Sequence, residues 1–236
     1  LQFFKKNFKN LKILVEKPLF NREKKFIPRN NEVHVGYNLR FHPAIDFIKN
    51  FLRNNKPIEI KLITNSFLPN WRKSISHKNY SASKKKGGGV ILDLSHEIDL
   101  VLWLFGKISI DYVKFNKVSK LKIKTEDFFQ MIGKSGKCNL FLNLSYYSKN
   151  EIRNILIDTN KKSLFVDLKN NMVRVDNKIR KVFSKKYDID KTYLNLHKAI
   201  ILGINKKKLC SIKNGKKVLK VIEKIKKLPE IKSKLN

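Results

Sequence analysis

Acidic residues are scarce in this chain: 19 Asp and Glu stand against 53 Lys and Arg over 236 residues, for a formal net charge of +34. Cysteine is scarcer, with only Cys138 and Cys210. Two cysteines so far apart make neither a metal-ligand spacing nor a disulfide framework. A zinc module and a disulfide-stapled secreted scaffold are therefore excluded, and a reducing cytoplasm is expected. No apolar run reaches the roughly 20 residues of a membrane-spanning helix, and the opening residues lack a signal-peptide pattern. His34, His77 and His197 have no ligand spacing, so no metal is expected. Glycine is sparse too, with three of nine gathered at Gly87–Gly89. No Lys-Ser/Thr follows them, which excludes a P-loop; they suit a tight entry that brings a helix N-terminus to a cleft.

The positive excess raises the question of nucleic acid, because clustered cations gain affinity for phosphates by releasing counterions. Its distribution answers against that. Lys dominates and is spread from Lys5 to Lys234, with blocks only at Lys84–Lys86 and Lys206–Lys208. Arg, whose fork reads base edges, is thinly scattered. Lys here accompanies abundant Asn, Ile and Phe, all drawn from AT-rich codons, so coding bias on solvated faces accounts for the charge. Neither nucleic acid nor a membrane is an expected partner. Hydrophobic residues at 42% and aromatics at 11% are those of a folded globular protein. A chain of this length buries roughly three quarters of its unfolded surface, as one large domain or two small ones.

Hydrophobic periodicity divides the chain. Leu1–Lys12 has Phe3, Phe4, Phe8 and Leu11 at helical spacing, and Ile13–Val15 is an unbroken apolar run ended by Pro18, as in a covered parallel strand. A loop through Arg29 leads to a second short strand at Val33–Asn38. Phe41–Asn55 is helical and Ile58–Ile63 alternates as a strand. Phe67–Lys86 is a long polar loop carrying Trp71 and Tyr80, and Gly89–Phe105 is one helix. Strands follow at Tyr112–Leu121, Asp127–Ile132, Lys137–Tyr147, Arg153–Asp158, Ser163–Leu168 and Met172–Asp176. Turn residues such as Gly133–Gly136 and Asn170–Asn171 join several of them, which implies antiparallel pairing. Helices at Asp190–Ile204 and Asn214–Leu228 close the chain. The fold class is thus α/β: the last part of a doubly wound unit over residues 1–39, then an α/β domain with a mostly antiparallel open sheet over residues 40–236.

Two stretches carry chemistry. LVEKPL at Leu14–Leu19 sets an ammonium group at the carboxyl end of a strand. GGGVILDLSHEIDLVLWLFG at Gly87–Gly106 sets Asp93, His96, Glu97 and Asp99 on a glycine-led helix, Asp93 and His96 three positions apart and so on one face. Lys, His and Asp are what proton movement requires when an alcohol loses hydride. A lysine desolvated beside a cationic ring has its pKa lowered toward neutrality, and histidine titrates there by nature.

EKP at Glu16–Pro18, GYNLRFHPA at Gly36–Ala44 and GGG…D..HEID…WLFG at Gly87–Gly106 together resemble the glucose–fructose oxidoreductase / inositol dehydrogenase (Gfo/Idh/MocA) family, in its order and spacing. The resemblance implies an NAD(P)-dependent oxidoreductase acting on a hydroxyl of a sugar, sugar acid or nucleotide sugar, with a Rossmann domain ahead of an α/β substrate domain. By that match Lys17 holds or shuttles the hydroxyl proton, His96 is its acid–base partner, and Asp93 orients the sugar. Glu16, Lys17 and Pro18 border the cofactor, NAD or NADP. Substrate contacts are expected from Tyr37, Arg40, Trp71, Arg72 and Tyr80; for Arg40 and His42 a structural ion pair is an equal alternative. Leu68–Ser83 resembles a subgroup linked to surface-polysaccharide pathways. Many members space the helix carboxylate four positions before the histidine, not three, and Asp99 is a competitor for its role. The family's open sheet implies a homo-oligomer.

One family element is missing: no G-x-G-x-x-G occurs anywhere in the sequence. Without that turn nothing here grips the cofactor's pyrophosphate. The chain enters the family pattern near the fifth Rossmann strand and starts with Leu, so it reads as a fragment. The alternative reading is an inactive oligomerising or sugar-binding remnant.

Overall fold

The computed structural model describes residues 6–20, 27–71, 80–183 and 189–228. Two sheets organise it. In the smaller one, β1 (Lys12–Val15) runs parallel to β2 (Glu32–Val35), which also pairs antiparallel with the two-residue β11 (Cys210–Ser211). Val33 and Val35 of β2 are buried, and β1 is partly buried throughout its apolar residues. β11 comes from late in the chain, so this sheet is sewn together from distant segments.

The larger sheet has eight strands in the order β10-β9-β8-β7-β3-β6-β5-β4. They are β3 (Pro57–Phe67), β4 (Ile108–Asn116), β5 (Phe128–Ser135), β6 (Cys138–Ser145), β7 (Tyr147–Thr159), β8 (Ser163–Asp167), β9 (Met172–Val175) and β10 (Lys178–Val182). Every pairing is antiparallel except β3 with β6. β3 shows why one face is covered: Ile60, Leu62, Thr64 and Ser66 are buried while the residues between them are not, the two-residue period of a half-buried strand. Gly133 sits where β4 crosses closest, since a Cβ there would run into the Ser109 carbonyl.

Five helices accompany the sheets among the described residues: α1 (Pro43–Asn54), α2 (Val90–Asp93), α3 (His96–Leu104), α4 (Ile189–Leu202) and α5 (Ile212–Lys227). α1 begins with Pro43 at its first turn, and its N-cap His42 accepts from the Ala44 N–H at 3.1 Å. α5 is capped by the Ser211 hydroxyl, which accepts from the Asn214 N–H at 3.3 Å. The main apolar core runs from Val33 and Val35 of the small sheet through Val90, Ile91 and Ile98 to the large sheet and to Val218 and Ile222 of α5, and a smaller cluster of Phe41, Leu196, Ala199, Ile200 and Leu209 packs under α4.

The mostly antiparallel open sheet is present as the sequence implied, with three differences. β10, exposed along its whole length, has no apolar alternation to reveal it. Lys12, placed at the end of a helix by periodicity, instead opens β1, because pairing with β2 overrides local spacing; Lys6 and Asn7 are helical, and Leu1–Lys5 lie outside the described residues. The third difference concerns Gly89–Phe105, which is not one helix. It breaks at Leu94 (φ −96°, ψ 28°) and Ser95. The Glu97 N–H turns to the Leu94 carbonyl at 3.3 Å, so the Asp93 carbonyl is released from the helical ladder. That released carbonyl accepts from the Lys17 ammonium.

Candidate active site

Lys17 follows β1, and the Lys17–Pro18 peptide bond is cis. His96 opens α3. The two line one cavity of about 570 Å³ together with Glu16, Asp93, Trp71 and Tyr80. Asn38, Leu94, Arg153, Ile189 and Tyr193 complete its wall. Segments distant in sequence thus converge through the helix break: the kink turns the Asp93 carbonyl toward Lys17 and leaves His96 at the start of a new helix facing the same space.

Each group is held. The Asp93 carboxylate is buried and accepts from the buried Tyr146 hydroxyl. Trp71 packs its ring edge-on against Tyr146, centroids 5.2 Å apart. The His96 ring is met edge-on by Tyr37, centroids 5.5 Å apart at 90°, and the Tyr37 hydroxyl donates to Ser95 Oγ at 3.4 Å. His96 Nδ1 is buried without a hydrogen-bond partner among the described residues. The glycines at the head of α2 work by proximity: a Cβ on Gly88 would strike the Tyr80 and Ser81 carbonyls, and Gly89, at φ +124°, faces the Glu126 carboxyl.

Burial sets the electrostatics. It lowers the Lys17 ammonium from the ordinary lysine range, and the Arg153 charge pushes the same way against the pull of Asp93, Glu97 and Glu16. Burial likewise holds His96 well below the ordinary histidine value, with Lys17 and Arg153 adding to it. The cavity therefore offers a neutral imidazole at neutral pH and an amine disposed to shed its proton.

Other residues singled out in the sequence are placed elsewhere. Arg40 is buried in an ion pair with Asp99, Nε to Oδ2 at 2.8 Å and Nη2 to Oδ1 at 2.6 Å, and lines neither this cavity nor its neighbour. The ion-pair alternative is thus the one realised. Asp99 is thereby committed to Arg40. Tyr37 is 1% exposed and stands behind His96. His42 serves as the α1 cap, with Nε2 3.0 Å from Asn171 Oδ1. Arg72 lies outside the described residues. Residues the sequence reading passed over are Asn38, Arg153 and Tyr193, each brought in by long-range packing; Glu97, named there as a helix carboxylate, accepts from Thr64 Oγ1 and Arg153 Nε, both at 2.8 Å. Nothing local to Arg153 or Tyr193 marks them. Among the described residues no group of three or more His, Cys, Asp and Glu side chains is placed to hold a metal ion, and no helix is long and apolar enough to cross a membrane.

Residues 56–227 match the family model described as the oxidoreductase family, C-terminal alpha/beta domain. The chain belongs to the Gfo/Idh/MocA oxidoreductase family. Solved structures similar to this Gfo/Idh/MocA chain include UDP-N-acetylglucosamine 3-dehydrogenase from Acidithiobacillus ferrooxidans, 19% identical over 90% of this chain and 68% of that one, with a TM-score of 0.67. An oxidoreductase from Thermotoga maritima is 18% identical over 90% and 67%, at a TM-score of 0.72. The WlbA dehydrogenase from Bordetella pertussis, solved with NADH and UDP-GlcNAcA, is 15% identical over 90% and 68%, at 0.66. At these identities the likeness is one of fold. A search of curated proteins gave no match.

Proposed function

We propose that this chain supplies the proton-transfer and sugar-binding side of an NAD(P)-dependent oxidoreductase that oxidises a hydroxyl of a sugar, sugar acid or nucleotide sugar. The observation that carries the reading is the convergence of Lys17 and His96 on one cavity of about 570 Å³, room for a monosaccharide unit. The fold neighbours point the same way, since those named above include dehydrogenases of nucleotide sugars.

Lys17, in its neutral form, takes the proton from the substrate hydroxyl at Nζ. Its N–H donated to the Asp93 carbonyl fixes the direction of its lone pair and its remaining N–H. His96, neutral and backed by Tyr37, exchanges that proton with the cavity, and Asp93, steadied by Tyr146, orients a neighbouring hydroxyl. A bound nicotinamide cofactor would supply the hydride acceptor for the carbinol carbon. Glu16, Lys17 and Pro18, at the carboxyl end of a strand in a parallel pair, suit the nicotinamide end. The sequence contains no G-x-G-x-x-G turn for the pyrophosphate. Trp71 and Tyr80 supply apolar and aromatic surface to the sugar, and Arg72, next to Trp71 in sequence, is kept as a substrate contact. A homo-oligomer formed through the open sheet, in the cytoplasm, completes the proposal.

The test is nicotinamide reduction, with NAD or NADP, across a panel of sugars, sugar acids and nucleotide sugars by this chain joined to a family Rossmann unit that carries the glycine turn. Turnover is expected with at least one, and Lys17→Met lowers it by about 10²–10⁴-fold, the range of positioned proton transfer. Wild-type rates in that variant, or no reduction with any substrate, defeat the proposal. A second reading is a non-catalytic sugar-binding or self-associating module. Saturable quenching of NADH fluorescence by the chain counts against it.

A further inference from the structure

A second cavity of about 600 Å³ adjoins the first and shares Trp71, Leu94, Arg153 and Ile189 with it. Arg153 is the charged member of that shared wall. It lies on β7 opposite Thr64 of β3. Its Nε donates to Glu97 Oε1 at 2.8 Å, and Glu97 is itself only 3% exposed at its side chain. Glu97 is fixed in turn by the Thr64 hydroxyl at 2.8 Å. The pairing uses one edge of the guanidinium. Among the described residues, the two Nη groups carry no hydrogen bond, and the side chain is 23% exposed.

That is an unusual way to hold an arginine whose purpose is structural. Arg40 spends Nε and Nη2 on one carboxylate and Nη1 on the Leu209 carbonyl. Arg153 instead spends its Nε and leaves the fork free at the junction of two cavities. The acidic side chains beside it are engaged: Asp93 by Tyr146, Glu151 by Lys169 at 2.6 Å. Glu16 adjoins Lys17, at the reacting end. A planar fork with two free donors matches the paired oxygens of a carboxylate or phosphate.

We infer that Arg153 is a substrate-binding residue that selects sugars carrying an anionic oxygen group, a carboxylate or a phosphate, placed at the junction of the two cavities while a hydroxyl of the ring reaches Lys17 and His96. This rests on the proposed sugar-oxidising function for its choice of ligand and goes beyond it in naming the substrate's charge. Glu97 acts as a positioning residue, aiming the guanidinium while leaving its two Nη groups as free donors.

Binding to the full chain without cofactor tests it, by calorimetry with three probes: D-glucose, D-glucuronate and D-glucose 1-phosphate. At least one anionic probe is expected to bind about tenfold or more tighter than glucose, the scale of a charge-assisted hydrogen bond, and which one does so separates carboxylate from phosphate. Arg153→Gln brings that probe to the level of glucose. Arg153→Lys, which keeps the charge and a donor for Glu97 but not the fork, retains only part of the preference. The readout is the ratio between anionic and neutral probes, which a general loss of folding does not create. Equal binding of all three by the wild type, or an undiminished ratio in Arg153→Gln, overturns the inference. Because no hydride transfer is measured, a failure here leaves the dehydrogenase reading standing, and absent turnover leaves this ratio untouched.

Discussion

Replacing Arg40 by Met is a test of stability more than of substrate affinity. The guanidinium makes two bonds to Asp99, at 2.8 and 2.6 Å, a third to the Leu209 carbonyl at 3.3 Å, and stacks 4.8 Å from the Trp103 ring. Both charged side chains are 2% exposed. Arg40→Met leaves the Asp99 carboxylate buried with no counter-ion, and breaking such a pair costs about 3–5 kcal/mol. For a chain of this size each kcal/mol moves the melting temperature by about 2–4 °C, so a drop of about 6–20 °C is expected by circular dichroism. The double variant Arg40→Met with Asp99→Leu removes the orphaned charge and is expected to melt above Arg40→Met alone. A single variant melting within about 1 °C of wild type, or a double variant melting below it, refutes the reasoning. The pair also joins the turn after β2 to α3 and to the Leu209 end of β11, so its loss loosens the wall between Asn38 and His96 and lowers turnover as a secondary effect.

Tyr146→Phe removes the hydroxyl that steadies Asp93 and leaves a buried acceptor short of a partner; a loss of about 1–3 kcal/mol is expected, read by urea unfolding, and an unchanged midpoint contradicts the contact. His96 gives a pH dependence of definite sign. Its folded pKa lies well below 6.5 because of burial first, so below the ordinary histidine value the unfolded chain takes up a proton that the folded chain refuses. The stability contribution is full above that value and is lost as pH falls toward the folded pKa. The melting temperature of wild type is expected to fall more steeply on acidification than that of His96→Gln, and parallel profiles count against a buried neutral imidazole.

The motifs EKP and GGG…D..HEID were legible because each is a local chemical pattern: a strand end stopped by proline, and a glycine-led apolar segment with polar residues interposed. The antiparallel sheet was legible for the same reason, since two-residue alternation bounded by turn residues is a local property. The bend at Leu94 was not. Gly89–Phe105 reads as one helix by periodicity, whereas the carbonyl freed at the break meets Lys17, a contact that no window of sequence contains. Arg40 shows the converse, its chemistry visible and its partner not, because only packing brings Asp99 against it and removes both from water.

Composition and pattern by themselves determined the α/β class, the absence of metal-ligand spacing, and the presence of a lysine and a histidine suited to proton transfer. Tertiary structure decided which charged side chains face a cavity and which are consumed in the core. The reason is physical: alternation and turn chemistry act over a few residues, whereas burial, which lowers Lys17 and His96 and isolates the Arg153 fork, exists only once distant segments have excluded water together.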